Sequence, residues 1–370
     1  MPIVEHSSLP TFRDLRRQGH AVLSQVDARR QDIRELHVGL LNMMPDAAFQ
    51  VTEQQFMRLV GSSNHIAQFY VHVFTVPGLP RGAATQAYID EHYEDIETVY
   101  ANGLDALIIT GSNVANPRLE IEPFYQPLTQ VIEWASTNVT SVLCSCLSTH
   151  ALMKFLHGID RVPLPRKQWG VYSHRVVAPQ HPLLRDINTR FDVPHSRYNA
   201  ITRAHFVEAG LQILIESEEA GVHAAVSEDG FRRVYFQGHP EYDANSLLKE
   251  YKREVLRHFT GERDLPPFPE HYFSDGAAAL IQSYLLAADA AHREDRALPE
   301  FPEAELAPFL DNTWRDTARA VFDNWLGLVY QVTNLDRRLP FMDGIDPQRP
   351  LAGLMHGHIH PRHSSEAHGS

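Results

Sequence analysis

Residues 140–158 read TSVLCSCLSTHALMKFLHG. An apolar, β-branched run leads to Cys144, and from Leu147 onward Ala151, Leu152, Phe155 and Leu156 recur on one helical face, with Gly158 placed as a C-cap. The stretch predicts a buried strand that turns at once into a helix, with Cys146 at the junction. Upstream the alternation repeats: LHVGLLNM (36–43), AQFYVHVFTV (67–76) and LDALIIT (104–110) read as strands. Between them Thr52–Val60, with Thr52 as its cap, then 84–102 and Pro127–Ser136 read as helices. Strands alternating with helices over roughly 120 residues predict an α/β fold with a doubly wound, mostly parallel sheet flanked by helices.

Beyond Gly158 the pattern changes to strands joined by turns: WGVYSHRVV (169–177), LQILIES (211–217) and AAVSEDGFRRVYFQ (224–237), with SEDG as a hairpin turn. Asn245–Phe259 returns to an amphipathic helix. Residues 275–312 are rich in Ala and Glu and predict a long surface helix with a Pro-punctuated link, and 313–331 predict a last helix that covers the sheet. The fold is thus expected to carry C-terminal helical additions.

The 370 residues are 43% hydrophobic, enough for a sizeable core, and the net charge of −13 argues against general nucleic-acid binding. Cys144 and Cys146 are the only cysteines, too few for a disulfide scaffold, and a bridge between i and i+2 would be strained. With no long apolar run, neither signal peptide nor membrane span is expected, and a cytoplasmic, thiol-reducing setting is. Five of the 22 histidines sit in the tail MHGHIHPRHSSEAHGS, read as a disordered end that binds metal adventitiously.

Three readings compete for the cysteine pair. A metal half-site of Cys144, Cys146 and His150 lacks a second cluster to complete it. Inert packing suits Cys144, inside the apolar run. Cys146 lies where a strand meets a helix N-terminus, which lowers a thiol's pKa and offers N–H groups to an oxyanion, so it is the better nucleophile. In open α/β sheets ligands gather at such junctions, and LIITGS and VYFQGH are two more. In Gln237-Gly238-His239-Pro240-Glu241, His239 and Glu241 are two apart and face one way if extended. A solvated polar turn is the alternative there. Joined to Cys146, they make the order Cys, His, Glu.

That order on a doubly wound sheet resembles the class I glutamine amidotransferase-like superfamily. LLNMMP (40–45), TEQQFMRL (52–59), LIITGS (107–112), GVYSHR (170–175), VPHSRY (193–198), GHPEYD (238–243) and DNWLGLVYQVTNLDRR (323–338) together resemble the homoserine O-acyltransferases of the MetA type. The likeness runs in order from about residue 35 to 340, which implies an N-terminal extension (1–34), an acyltransferase domain (35–340, with 275–312 a helical insertion) and a His-rich tail (341–370).

The resemblance implies ping-pong transfer of a succinyl group from succinyl-CoA to the hydroxyl of L-homoserine, at the entry to methionine biosynthesis. Cys146 would be the nucleophile, His239 the base and Glu241 its orienter. Lys167, Ser196 and Arg253 would bind substrate, Arg253 taking the acceptor carboxylate. Backbone N–H groups of Leu147 and Ser112 would form the oxyanion hole. Ala115 matches the position that separates donors, Glu in acetyl-CoA users and a small residue in succinyl-CoA users. No cofactor, no metal, no nucleic acid and no membrane are implied, and a homodimer is. A homoserine O-acetyltransferase, or a glutaminase with the same triad, is the alternative. Amidotransferases flank their cysteine with glycines, absent here, which weighs against the glutaminase. A catalytically silent binding protein of this fold is a third reading.

Overall fold

The structure is a computed structural model that describes residues 3–63 and 67–354. Among these residues eleven strands form one sheet: β1 (Ile3–Glu5), β2 (Val22–Ser24), β3 (Glu35–Leu41), β4 (Gln68–Phe74), β5 (Ala106–Ile109), β6 (Ser141–Ser145), β7 (Val162–Val176), β8 (Arg190–Ala200), β9 (Gln212–Ser217), β10 (Gly221–Val226) and β11 (Arg233–Phe236). The spatial order is β2-β1-β4-β3-β5-β6-β11-β10-β9-β7-β8. Neighbours from β2 through β11 run parallel. The pairs from β11 to β8 run antiparallel.

The central strands are apolar on both faces because helices cover both. Leu36, Val38 and Leu40 of β3, Ile108 of β5 and Leu143 of β6 share one core with Phe56, Met57 and Val60 of the helix Phe49–Ser62. The last helix, Arg315–Val332, closes that core with Phe322, Trp325, Leu326 and Val329, each worth about 1.5–3 kcal/mol when buried. Leu41, Leu107, Ile109 and Cys144 face the opposite core, under the helices Tyr125–Asn138 and Leu147–His157. The period of two along each strand decides this split, and it turns Cys144 away from Leu143's side. No helix of the described residues is long and apolar enough to cross a membrane.

Several expectations need correction. Thr52 is no cap but a buried residue inside Phe49–Ser62, whose start follows a 3₁₀ turn at Asp46–Ala48. The segment 84–102 is two helices, Ala83–His92 and Ile96–Asn102. The break comes where Tyr93 OH donates to Glu53 Oε2 at 2.8 Å and Glu94 N–H to Val73 O at 2.8 Å, and the Asp95 carboxylate caps the second helix. Residues 1–34 include two strands of the sheet, β1 pairing with β4 through Ile3 and Phe69. The helix Asp275–Arg293 is not purely a surface element: Ile281, Tyr284 and Ala288 are buried in a third core with Trp169, Leu248 and Tyr251. Chain packing also continues past 340, since Phe341 and Leu351 are buried in the first core. The five tail histidines lie outside the described residues.

Candidate active site

Cys146 sits between β6 and the helix Leu147–His157 with φ 54° and ψ −108°, left-handed territory that a non-glycine residue enters only under constraint. The constraint is visible: its N–H donates to Phe236 O at the end of β11 at 2.8 Å. The sharp turn lifts the thiol out of the strand, so Cys146 is half-buried while Cys144 is fully buried. Burial pushes the Cys144 thiol up, which suits packing and not nucleophilic work. Gly111 approaches closely: a Cβ there would lie 3.7 Å from Cys146 Cβ and 3.8 Å from Leu147 N. A side chain would fill the space in front of the first-turn N–H of Leu147, which has no acceptor within its helix. Gly111 therefore stands beside both the thiol-bearing residue and the N–H of Leu147.

β11 carries the partner. After Phe236 the chain turns so that His239 Nδ1 meets Glu241 Oε1 at 2.8 Å, with both side chains buried. The other ring nitrogen, Nε2, is thereby left for Cys146. Burial disfavours charge on His239, but the facing Cys146 and the Glu241 carboxylate outweigh it and hold its pKa well above the usual imidazole value. Tyr242 stacks on the ring at 4.3 Å between centroids. Gly238 has no room for a Cβ, which would lie 2.6 Å from Val193 Cγ1 and 2.9 Å from His195 Nε2. His239 N–H donates to Pro194 O at 2.8 Å, so β8 fixes the turn.

Beneath this turn lies a polar layer that sequence reasoning missed. His174 Nδ1–H donates to Tyr172 O at 2.8 Å, which leaves its Nε2 to accept from His195 Nε2 at 3.2 Å. His195 Nδ1 then accepts from Arg197 Nε at 3.3 Å. His223 Nδ1 accepts from Gly238 N–H at 3.2 Å. Burial keeps these imidazoles neutral: His174 is held down to about 4, and His195 and His223 lie well below their usual value. Burial holds Arg197 down to about 10 and lowers Arg161 as well.

Lys167 and Ser196 are brought together, and by a residue the sequence reading did not single out. Glu250, on the helix Ser246–Phe259, accepts from Ser196 Oγ at 2.6 Å, from Lys167 Nζ at 3.2 Å and from Tyr242 OH at 2.9 Å. Burial alone would raise its pKa, but Lys167, Ser196 and Tyr242 hold the carboxyl below its usual value. Tyr242 links this group to the His239 ring. Arg253, one turn further along that helix, is not drawn in: its side chain is half exposed and Nε pairs with Glu254 at 3.4 Å. Ala115 lies on an exposed loop fastened by Glu122, whose Oε1 accepts from Ala115 N–H at 2.8 Å and Asn116 N–H at 2.6 Å. Arg161 Nη2 donates to Asn116 O at 2.9 Å, and its Nε is buried without a partner among the described residues. A basic residue three positions past the Gly158 cap was the one signal for it. Among the described residues, no cluster suited to a metal includes Cys144, Cys146 or His150.

The arrangement joins a half-buried thiol to an imidazole held by a carboxylate, with Glu250 and its three donors linked to that ring through Tyr242. A family profile described as "HTS: Homoserine O-succinyltransferase" matches residues 2–335. Homoserine O-succinyltransferases from Methylococcus capsulatus and Thiobacillus denitrificans are 60% and 59% identical to it, each over 95% of this chain and 99% of the relative. That of Cardiobacterium hominis is 51% identical over 96% of this chain and 99% of its own. Among solved structures, a glutamine amidotransferase from Thermotoga maritima aligns with 80% of this chain and 97% of its own at 12% identity and a TM-score of 0.43. The profile match reaches residue 2, so the segment before β3 lies within the likeness and not outside it. With the profile spanning nearly all of the fold and relatives this similar along their whole length, the chain belongs to the homoserine O-succinyltransferase family.

Proposed function

We propose that this chain transfers a succinyl group from succinyl-CoA to the hydroxyl of L-homoserine through a thioester on Cys146, the product entering methionine biosynthesis. The observation that carries the reading is the contact set Cys146–His239–Glu241 on a strained strand-to-helix turn, in a chain whose relatives bear the name homoserine O-succinyltransferase. His239 takes the thiol proton, and the thiolate attacks the thioester carbonyl. The oxyanion is received by N–H groups of Leu147 and the Gly111–Ser112 loop. The C–S bond to CoA breaks, CoA leaves as a thiol with the proton from His239, and the succinyl group stays on Cys146. One thioester replaces another, so the step is nearly neutral in energy. The homoserine hydroxyl then gives its proton to His239 and attacks, forming the ester and freeing Cys146. Glu241 keeps the imidazole oriented and supports its charge.

Glu250 is the group for the homoserine ammonium, with Ser196 and Lys167 setting its position. The acceptor carboxylate falls to Lys167 and, after a side-chain rotation, to Arg253. Arg161, with its unpartnered Nε beside the Ala115 loop, suits the free carboxylate of the succinyl chain. No cofactor beyond the acyl-CoA co-substrate is required by these steps. The test is mass spectrometry of the protein after exposure to succinyl-CoA alone. A succinyl adduct on Cys146, discharged by L-homoserine, is the expected result; release of ammonia from glutamine without an adduct would replace the reading with a glutaminase.

A further inference from the structure

At the far edge of the parallel sheet, three imidazoles and a carboxylate converge that the acyl-transfer chemistry does not use. His6 follows β1, His37 lies on β3 and His72 on β4, and Glu94 occupies the break between the helices Ala83–His92 and Ile96–Asn102. His72 Nδ1 is 2.7 Å and His6 Nε2 3.8 Å from Glu94 Oε1, and the His6 and His72 rings are 5.0 Å apart.

His6 Nδ1–H donates to Val4 O at 3.0 Å, the only role open to it beside a carbonyl. In the neutral ring its Nε2 is then a lone pair, buried and without a hydrogen-bond partner among the described residues. It faces a carboxylate oxygen that also offers only lone pairs, an arrangement that calls for a positive charge between them. Behind His72, Nε2 meets His37 Nδ1 at 2.8 Å, and His37 Nε2 lies 3.5 Å from Glu35 Oε2. Such a carboxylate–imidazole chain behind a ligating histidine fixes its tautomer and raises its basicity.

The geometry points to a binding site for one divalent cation of the zinc type, held by His6 Nε2, His72 Nδ1 and Glu94 Oε1 with water in the fourth position. One ligand atom from each of His6, His72 and Glu94 lies within 4.8 Å of the other two. Zinc–nitrogen and zinc–oxygen bonds of about 2.0–2.2 Å put tetrahedral ligands about 3.3–3.6 Å apart. The His6–Glu94 spacing is near that value, and the His72–Glu94 hydrogen bond opens slightly as the ion replaces its proton. Two imidazoles with one carboxylate favour zinc over calcium or magnesium, which prefer all-oxygen shells. The ion would fasten β1, which pairs with β4 through a single residue register, to β4 and to the Glu94 turn. It would act as a clasp on the sheet edge and leave the acyl-transfer site alone.

The tail histidines bind zinc themselves, so the test uses the full-length chain with His356, His358, His360, His363 and His368 replaced by Ala. In that background the expected result is one equivalent of zinc retained through dialysis, a rise of Tm on zinc addition, and four-coordinate visible absorption bands with cobalt. Glu94→Gln, close in shape and still able to bond His72, and His6→Gln should each lose the equivalent, the Tm response and the cobalt bands. Retention of all three in both variants would overturn the assignment. So would the absence of bound zinc and of cobalt bands in the background chain, which needs no variant to fold; a proton on His6 would then be the charge between the two groups.

Discussion

The backbone N–H of Cys146 donates to the carbonyl of Phe236 at 2.8 Å, across the seam between β6 and β11. That bond ties the turn bearing the thiol to the strand end from which His239 follows three residues later. The sheet register thus sets the thiol-to-imidazole spacing, with Cys144 opposite Tyr235 and Ser145 opposite Phe236. The first prediction separates the two cysteines. Cys146→Ser should lower turnover by several orders of magnitude and abolish the acyl adduct. Cys144→Ala removes only a buried thiol and should cost stability, read as a lower Tm, with most activity kept. An adduct mapped by tandem mass spectrometry to Cys144 would reverse the assignment.

Gly238→Ala probes the turn that holds His239 without touching the imidazole. The new methyl meets Val193 Cγ1 and His195 Nε2 at less than contact distance, and relief of such overlap costs about 1–3 kcal/mol. Displacement of His239 by a fraction of an ångström should lower kcat about 10–100-fold while far-UV circular dichroism stays native. His239→Asn removes the proposed base and should cost at least about 10²–10⁴ in kcat, with Glu241→Gln milder. Near-normal kcat in His239→Asn would defeat the triad.

Much of this was legible in the sequence for a physical reason. Buried parallel strands are short apolar runs, and a strand-to-helix junction needs no long-range information to be recognised. β8 was less visible: FDVPHSRY mixes polar residues and a proline, because it is the edge strand of the sheet. Glu250 escaped notice because an acid within KEYKRE reads as the solvated face of a helix, and only the fold brings Ser196 and Lys167 to it. The buried imidazoles at 174, 195 and 223 were hidden by abundance, since histidine pattern alone does not separate a core from a surface.

Those imidazoles predict a pH dependence. Their folded pKa values lie below the unfolded value, so on acidification the unfolded chain takes up protons that the folded chain refuses. Their contribution to stability is therefore full above about pH 6.5 and is lost as pH drops toward 4. His174, held to about 4, accounts for about 3 kcal/mol of that loss, and His150 and His181 add in the same direction. Tm measured between pH 8 and pH 4.5 should decline steeply below 6.5, and His174→Gln should flatten the slope. An unchanged slope would show that His174 does not remain neutral in the folded chain.

Acceptor recognition is tested by pairing two charges on one helix. Glu250→Gln keeps its shape and loses the countercharge for an ammonium, so KM for homoserine should rise about tenfold with KM for succinyl-CoA little changed. Arg253→Lys keeps charge but loses the planar fork and should also raise KM for homoserine selectively. If Arg253→Lys leaves that KM unchanged, Lys167 is the cation that holds the carboxylate.

The proposed donor preference rests on the loop that Glu122 fastens. Ala115 leaves both space and charge open there, whereas a glutamate would fill the volume a four-carbon chain needs and repel its terminal carboxylate. Glu122 does not already impose that repulsion, because its Oε1 is occupied by the N–H groups of Ala115 and Asn116 and by the Asn116 amide. Arg161 reaches the same loop and carries a buried Nε without a partner, a donor suited to a carboxylate that an acetyl group lacks. Wild type should therefore show the higher kcat/KM with succinyl-CoA. Arg161→Gln should lower that value by about tenfold or more and leave acetyl-CoA use nearly unchanged, since a charge-assisted hydrogen bond contributes about 1.5–3 kcal/mol. Ala115→Glu should lose succinyl-CoA use while keeping or gaining acetyl-CoA use. Because Ala115 is exposed on its loop, the variant should fold normally, and its donor profile can be read without a correction for stability. A wild type that prefers acetyl-CoA would defeat the donor assignment. An Arg161→Gln variant that loses both donors equally would instead place that guanidinium beside the thiolate of Cys146, where it would serve every donor alike.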